Sequence, residues 1–307
     1  MKYKILVTGG AGFIASHVVD AYIKAGHKVA VIDNLSTGFR KNLNPAAKFY
    51  KADICDLKAV EKIFRQEKPE IVNHHAAIVE VAKSLYNPIP TLKTNVLGTA
   101  NVLLSFCKYS RGRNKKFIFS STGGAIYGEP KKIPDEMAPL FPLSPYGLSK
   151  LLAEETIKFY ARQNNFGYLI LRYANVYGPR QNPKGEAGVV AIFEGLMKSG
   201  KQPTIFGDGT KARDYVYVGD IVRANAIALN RGNNETVNLG WGKKITDQTI
   251  FDTIAKELNF KRKPVYAPYR QGEVYQIALD ARKAKRVLGW KPKTALRDGI
   301  RKTLIAL

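Results

Sequence analysis

The chain has 307 residues, 45% of them hydrophobic, with 26 glycines and 15 prolines; this suits one or two compact α/β domains, and no apolar run approaches the ~20 residues of a membrane span. Lys and Arg total 49 against 25 Asp and Glu, a formal net charge of +24, which raises the question of a polyanionic partner. The only cysteines, Cys55 and Cys107, lie in unrelated segments, which argues against a disulfide framework or metal-type spacing and makes a reducing cytoplasm the expected compartment.

The start passes directly into a strand-like run at 4–7, leaving no room for a signal peptide. A Gly-rich turn and a helix over 16–25, ended by Gly26, follow. Strands are expected at 29–32, 49–52, 70–73, 117–120 and 168–172, with helices at 59–66, 94–109 and 145–163 between them. This alternation of short Ile- and Val-rich runs with helices predicts a parallel sheet buried on both faces. After about residue 173, Pro179, Pro183, Gly185 and Gly188 punctuate a loop before a helix at 189–198. A tight turn at Gly207-Asp208-Gly209 and helices at 220–230, 246–259 and 296–306 complete the chain. The division is 1–173 for the sheet domain and 174–307 for a smaller α/β region, with some segments returning to the first and a ligand cleft between the two.

Thr8-Gly9-Gly10-Ala11-Gly12-Phe13-Ile14-Ala15 joins the first strand to the first helix. Glycines here let backbone amides approach a pyrophosphate at the positive end of the helix. Asp33 ends the second strand, about 20 residues on, where a carboxylate accepts both ribose hydroxyls and repels a 2′-phosphate. That favours NAD over NADP, with Arg40 and Lys41 nearby to soften the repulsion. Further on, Tyr146-Gly147-Leu148-Ser149-Lys150 places a phenol and an ammonium one helical turn apart. The ammonium stabilises the phenolate and makes Tyr146 a general base for a sugar hydroxyl. Ser120-Ser121-Thr122 stands at a strand end facing the same crevice, with Thr122 favoured over Ser121 to hydrogen-bond the reacting group. His74 and His75 are adjacent in a strand and point to opposite faces, which argues against a metal site.

Taken with Asp53-Ile54, His74-His75-Ala76-Ala77, Asn95, Ser120–Gly128 and Leu171-Arg172-Tyr173-Ala174-Asn175-Val176-Tyr177-Gly178-Pro179, these motifs resemble the extended short-chain dehydrogenase/reductase family over essentially the whole chain, and within it the sugar-nucleotide epimerases. The resemblance implies a Rossmann-type doubly wound sheet with a smaller C-terminal substrate domain, bound NAD, and reversible C4 epimerisation of a UDP-hexose through a 4-keto sugar. It places Gly9, Gly12, Phe13, Ile14, Asp33, Asn34, Ser36, Thr37 and Gly38 with the cofactor, Asp53 and Ile54 at the adenine, and Ala76 and Ala77 along the pyrophosphate and nicotinamide path. By the same resemblance Asn95 braces the site, Lys150 also binds the nicotinamide ribose, and Tyr173 contacts the cofactor. Asn175 is implied to bond the diphosphate, with Gly188, Val189 and Val190 along the nucleotide and Thr204 to Phe206 pairing their backbone with uracil. Arg213 and Arg270 are implied to clamp the phosphates, and Glu273 to reach the uridine ribose.

The reaction class turns on the two residues after Thr122. Dehydratases of the family carry an Asp-Glu pair there and decarboxylases a Glu; this chain has Gly123-Gly124. With no acid beside the oxidised C4, return of the hydride is the expected outcome. Glu80 is expected either to touch a sugar hydroxyl or to be solvated at the cleft mouth, and Ile277, near the family position that gates N-acetylated sugars, is of a size that settles little. UDP-GlcNAc and UDP-glucuronate therefore stay open as alternatives. So does a non-catalytic NAD- or polyanion-binding role, although the basic clusters at 111–116, 261–263 and 282–293 lack interleaved aromatics and read first as a solvated surface. A homodimer through the helices at 94–109 and 145–163 is implied by the resemblance.

Overall fold

β1 (Lys4–Thr8) is covered on both faces because its Ile-Leu-Val run offers no polar side chain to either. The computed structural model describes residues 2–112, 115–183, 188–269 and 274–305. In chain order β1 is followed by α1 (Phe13–Lys24), β2 (Lys28–Asp33), β3 (Lys48–Lys51), α2 (Leu57–Glu67) and β4 (Ile71–His74). Next come α3 (Val81–Tyr86), α4 (Pro88–Leu92), α5 (Thr99–Tyr109), β5 (Lys116–Thr122), the one-turn α6 (Gly123–Ile126), α7 (Pro145–Asn164) and β6 (Gly167–Tyr173). The later elements are β7 (Asn175–Tyr177), α8 (Val189–Lys198), β8 (Thr204–Phe206), β9 (Ala212–Arg213), β10 (Tyr215–Tyr217) and α9 (Val218–Ala228). They close with β11 (Glu235–Leu239), β12 (Ile245–Thr246), α10 (Asp247–Glu257), β13 (Val265–Ala267), α11 (Arg282–Leu288) and α12 (Leu296–Ile305).

The fold is a Rossmann-type α/β sandwich. Seven parallel strands run in the order β11-β6-β5-β4-β1-β2-β3. The order reverses between β1 and β4, so the crevice for a dinucleotide opens beyond the carboxyl ends of those strands. One core face packs α1, α9 and α11 against the sheet around Val18, Ile221 and Leu288; the other packs α2, α5 and α7 around Phe64, Phe106 and Ile157. A third core, with Phe193, Ile250 and Ile300, unites α8, α10 and α12 with the two-stranded sheets β10-β7 and β13-β8. No helix among the described residues is long and apolar enough to cross a membrane.

Two features depart from the sequence expectation. The helix expected to begin at 94 is already helical from Pro88, and it widens to a π-helical turn over Lys93–Gly98 before α5. Pro88 and Pro90 look like breakers, but Pro88 stands in the first turn, where its missing amide hydrogen has no helical partner to lose. The seventh strand, β11, lies in the chain between α8 and α10 of the third core and pairs with β6 from Glu235↔Leu169 to Leu239↔Tyr173.

Candidate active site

The turn after β1 is built by close backbone approach. Gly9 has φ +72°, and a Cβ on it would lie 2.8 Å from the Ala76 amide nitrogen, so only glycine lets the turn pass against 75–76. Thr8 Oγ1 reinforces that contact by accepting from the amides of His75 (3.2 Å) and Ala76 (3.1 Å). Gly12 caps α1 without a side-chain bond, and the first turn, which holds Phe13 and Ile14, carries no acid. The amides of that turn are thus left for an anion, and among the described residues only Gly9 O, at 3.1 Å, would lie within 4 Å of a Cβ on Gly12. The cradle fits a dinucleotide pyrophosphate.

Asp33, buried at the end of β2, accepts from the Ala11 amide (2.9 Å) and the Leu35 amide (2.7 Å). Each oxygen keeps a lone pair for a ribose hydroxyl while its partner atoms hold the glycine turn, a tie that sequence reasoning missed. The segment with Ser36, Thr37 and Gly38 folds back on the turn: the Phe39 amide donates to Ala11 O, and a Cβ on Gly38 would strike Ala11. Asn34 Nδ2 donates to Asp53 Oδ2 (3.1 Å), and Asp53 Oδ1 accepts from the Cys55 amide (2.8 Å). Burial pushes the Asp53 carboxyl up, but those two bonds and Lys93 outweigh it and hold it below its ordinary value. Ile54 is buried over Gly98, so a Cβ there would meet its side chain at 2.7 Å. These residues surround one end of the crevice.

At the other end, Ser144 caps α7 by accepting from the Gly147 amide (3.1 Å), with Pro145 in the first turn. That fixes where Tyr146 leaves the helix, and the Tyr146 amide donates to Ser84 Oγ of α3 (3.2 Å). Lys150, one turn on and 3% exposed, donates from Nζ to Ser120 O (2.9 Å) and lies 4.8 Å from the Phe119 ring centroid. Burial lowers its ammonium to about 8, with the charge of Glu154 acting in the opposite direction. Asn95, in the π-helical turn, is bonded to both the amide and the carbonyl of Ile78 and to Ser149 Oγ (2.9 Å), joining the segment after Ala76-Ala77 to α7.

Thr122 ends β5 and precedes α6, and among the described residues its hydroxyl makes no cap bond to that helix. Ser121 behaves differently: its hydroxyl donates to the buried Glu154 carboxylate (2.5 Å) and is already committed. Tyr173 is buried, stacks obliquely on His75 and accepts from Asn225 Nδ2 (2.9 Å). His74 is bonded to Thr8 and Thr99 on its two ring nitrogens, and burial drives it well below its ordinary pKa; His75 is lowered to about 3 for the same reason. Both stay neutral. Among the described residues no group of three His, Cys, Asp or Glu side chains converges for a metal.

On the substrate side, Asn175 heads β7, held by its amide on Asp214 O (2.8 Å). A Cβ on Gly124 would lie 3.2 Å from Asn175 Oδ1 and 3.9 Å from Thr122 Oγ1, so Thr122, Gly124 and Asn175 share one small space. Gly123 is closed by Leu279, which would meet its Cβ at 2.2 Å. Gly188 and Val189 begin α8 half-buried, whereas the Val190 side chain, 2% exposed, turns into the third core; any ligand contact there is through backbone. Thr204 and Phe206 lie on β8, which pairs with β13. Arg213 on β9 donates to Ala212 O and Tyr275 O (both 3.0 Å). Arg270 and Glu273 lie outside the described residues. Ile277 is buried, and Glu80 pairs with the exposed Lys83 at 2.9 Å.

Asp214 escaped sequence reasoning. Its buried carboxylate accepts from the amides of Trp241, Gly242 and Leu279, and burial pushes it up to about 6 against those three bonds. The available signal was an acid inside the strand-like run 212–218.

The family model for NAD-dependent epimerases/dehydratases matches residues 5–240. The chain is 50% identical over 301 residues to a putative UDP-glucose 4-epimerase of Methanocaldococcus jannaschii, covering 98% of this chain and 97% of the relative. Among solved structures it is similar to the UDP-glucose 4-epimerase of Thermotoga maritima with UDP-glucose (TM-score 0.96, 49% identity, 98% and 97% covered). It is similar also to the Thermus thermophilus UDP-glucose 4-epimerase in complex with NAD (TM-score 0.93, 40% identity, 98% of both chains covered).

Proposed function

Given that the chain belongs to the NAD-dependent epimerase/dehydratase family, we propose that it inverts the C4 hydroxyl of a UDP-hexose, interconverting UDP-galactose and UDP-glucose. The observation that carries this reading is the space shared by Thr122, Gly124 and Asn175 at the carboxyl edge of the sheet, with no carboxylate at positions 123 and 124. NAD, when bound, takes up a hydride from C4 and returns it.

The chain's own groups do the rest. Tyr146 removes the C4 hydroxyl proton as a phenolate, and Lys150, its cationic neighbour one helical turn away, favours that phenolate. Thr122, whose hydroxyl makes no cap bond to α6, hydrogen-bonds the reacting oxygen. Asn175, Arg213 and Arg270 grip the diphosphate, while the backbone of Thr204 to Phe206 and Gly188 to Val190 holds the nucleoside, with Glu273 at its ribose. With the nucleotide held and no acid at 123–124 to drive elimination, the 4-keto sugar turns about its phosphate linkage and presents its other face. Tyr146 then returns the proton. Confining the reactants supplies the orientation term.

The protein works as a homodimer in the cytoplasm on this reading. The exposed Leu97, Leu104, Leu152 and Phe159 along the π-turn, α5 and α7 support a helical interface. Purified protein given UDP-galactose without added NAD should yield UDP-glucose of unchanged mass. A panel with UDP-GlcNAc and UDP-glucuronate separates the substrate classes, and a Tyr146→Phe variant with full activity refutes the proposed base.

A further inference from the structure

A buried polar frame lies behind the groups assigned to the sugar and the cofactor. Glu154 is fully buried two turns after Tyr146, and its Oε1 accepts from Ser121 Oγ (2.5 Å) and Arg172 Nε (3.0 Å). Its Oε2 accepts from Arg172 Nη2 (2.6 Å). Arg172 Nη1 donates to Tyr127 OH (2.8 Å), which donates in turn to Asn238 Oδ1 (2.7 Å) on β11. One ion pair therefore ties α7, β5, β6 and β11 together.

The placement is informative. Lys150 and Glu154, one turn apart on α7, grip consecutive residues of β5, Ser120 and Ser121, and the next residue is Thr122. Ala153, Ile157 and Ala161 of α7 share one apolar cluster with Phe119 and Ile170 of the sheet. Such packing sets the distance between helix and sheet but resists sliding along the helix axis weakly, because dispersion is non-directional. A two-oxygen fork onto a guanidinium has one favoured geometry and fixes the axial register. Buried ion pairs are in general no more stabilising than apolar residues of the same volume, so stability alone does not account for this one.

We propose that Glu154 and Arg172 are positioning residues: their ion pair, through Ser121, sets the register of Tyr146 and Lys150 against Thr122. The inference rests on the epimerase reading. Misplacing a reacting group by about an ångström lowers turnover by up to about 10²-fold while leaving substrate binding largely intact. Two variants test this, with wild-type conversion of UDP-galactose as the control on which the epimerase reading itself stands or falls. Glu154→Asp keeps the charge but shortens the arm by one methylene, so the same bonds draw β5 and α7 out of register. The triple variant Ser121→Ala/Glu154→Leu/Arg172→Met removes the ion pair and the bonded hydroxyl together, so neither partner of the pair is left buried without the other. Lys150 loses the attraction of Glu154 in it, and Glu154→Asp, which keeps that charge, is the comparison free of this effect. With the wild type active, both should bind NAD normally and show kcat lowered at least tenfold with KM within twofold. Wild-type kcat in either folded variant overturns the proposal, as does a loss confined to KM. Should the triple variant fail to fold, Glu154→Asp decides alone.

Discussion

Lys150→Met separates the chemistry of a buried ammonium from its effect on stability. Burial lowers that ammonium from the ordinary 10.5 to about 8, against the attraction of Glu154. At about 1.4 kcal/mol per pH decade, the folded state is penalised by about 3 kcal/mol for holding this charge. The unfolded chain binds the proton more tightly, so the penalty is complete below about pH 8 and is relieved as pH rises from there to about 10.5. Methionine removes the charge but also the bond to Ser120 O and the contact with the Phe119 ring, together worth about 2 kcal/mol. The balance is a gain of about 1 kcal/mol near pH 7, or a rise of about 1–2 degrees in Tm for a chain of this length, where an average substitution costs about 1 kcal/mol. Turnover should nonetheless fall by about 10²-fold or more, since the phenolate loses its cation. The assays are thermal melts of the NAD-free protein at about pH 7 and pH 10, so that a change in cofactor affinity does not enter the Tm, and chromatography of UDP-galactose turnover. The stability advantage should shrink at the higher pH. A variant that melts several degrees below wild type near pH 7, or retains wild-type turnover, refutes the reasoning.

Lys116 offers the matched control: it is 3% exposed, donates to Arg231 O at 2.6 Å, and burial lowers it to about 8. It begins β5 at the end opposite Thr122, so Lys116→Met should raise Tm near pH 7 by a similar amount, less so at pH 10, with turnover unchanged. Thr122→Val should lower kcat by about 10- to 100-fold with Tm within a few degrees, because its hydroxyl makes no cap bond to α6 that could be lost; unchanged kcat removes Thr122 from the mechanism. Gly9→Ala forces a Cβ to 2.8 Å from the Ala76 nitrogen at φ +72°. It should weaken NAD binding at least tenfold by calorimetry and lower stability by about 1–3 kcal/mol.

What the chain states locally could be read from it directly. β1 is a short apolar run, the Gly9–Gly12 turn sits between a strand and a helix, and Tyr146 and Lys150 stand one turn apart; each depends on residues within a few positions of one another. Their assembly was not local. β11 joins the sheet beside β6, more than sixty residues earlier, and the choice between edge strands is made by collapse and not by either strand's own pattern. Burial likewise assigned the polar roles. Ser121 and Thr122 are chemically alike neighbours, yet one is committed to Glu154 and the other makes no cap bond to the helix it precedes. Asp33 doubles as the tie of the glycine turn, Asp214 gathers three distant amides, and Val190 turns inward. A polar group removed from water must find a partner, and which partner lies within reach is decided only once the whole chain has packed.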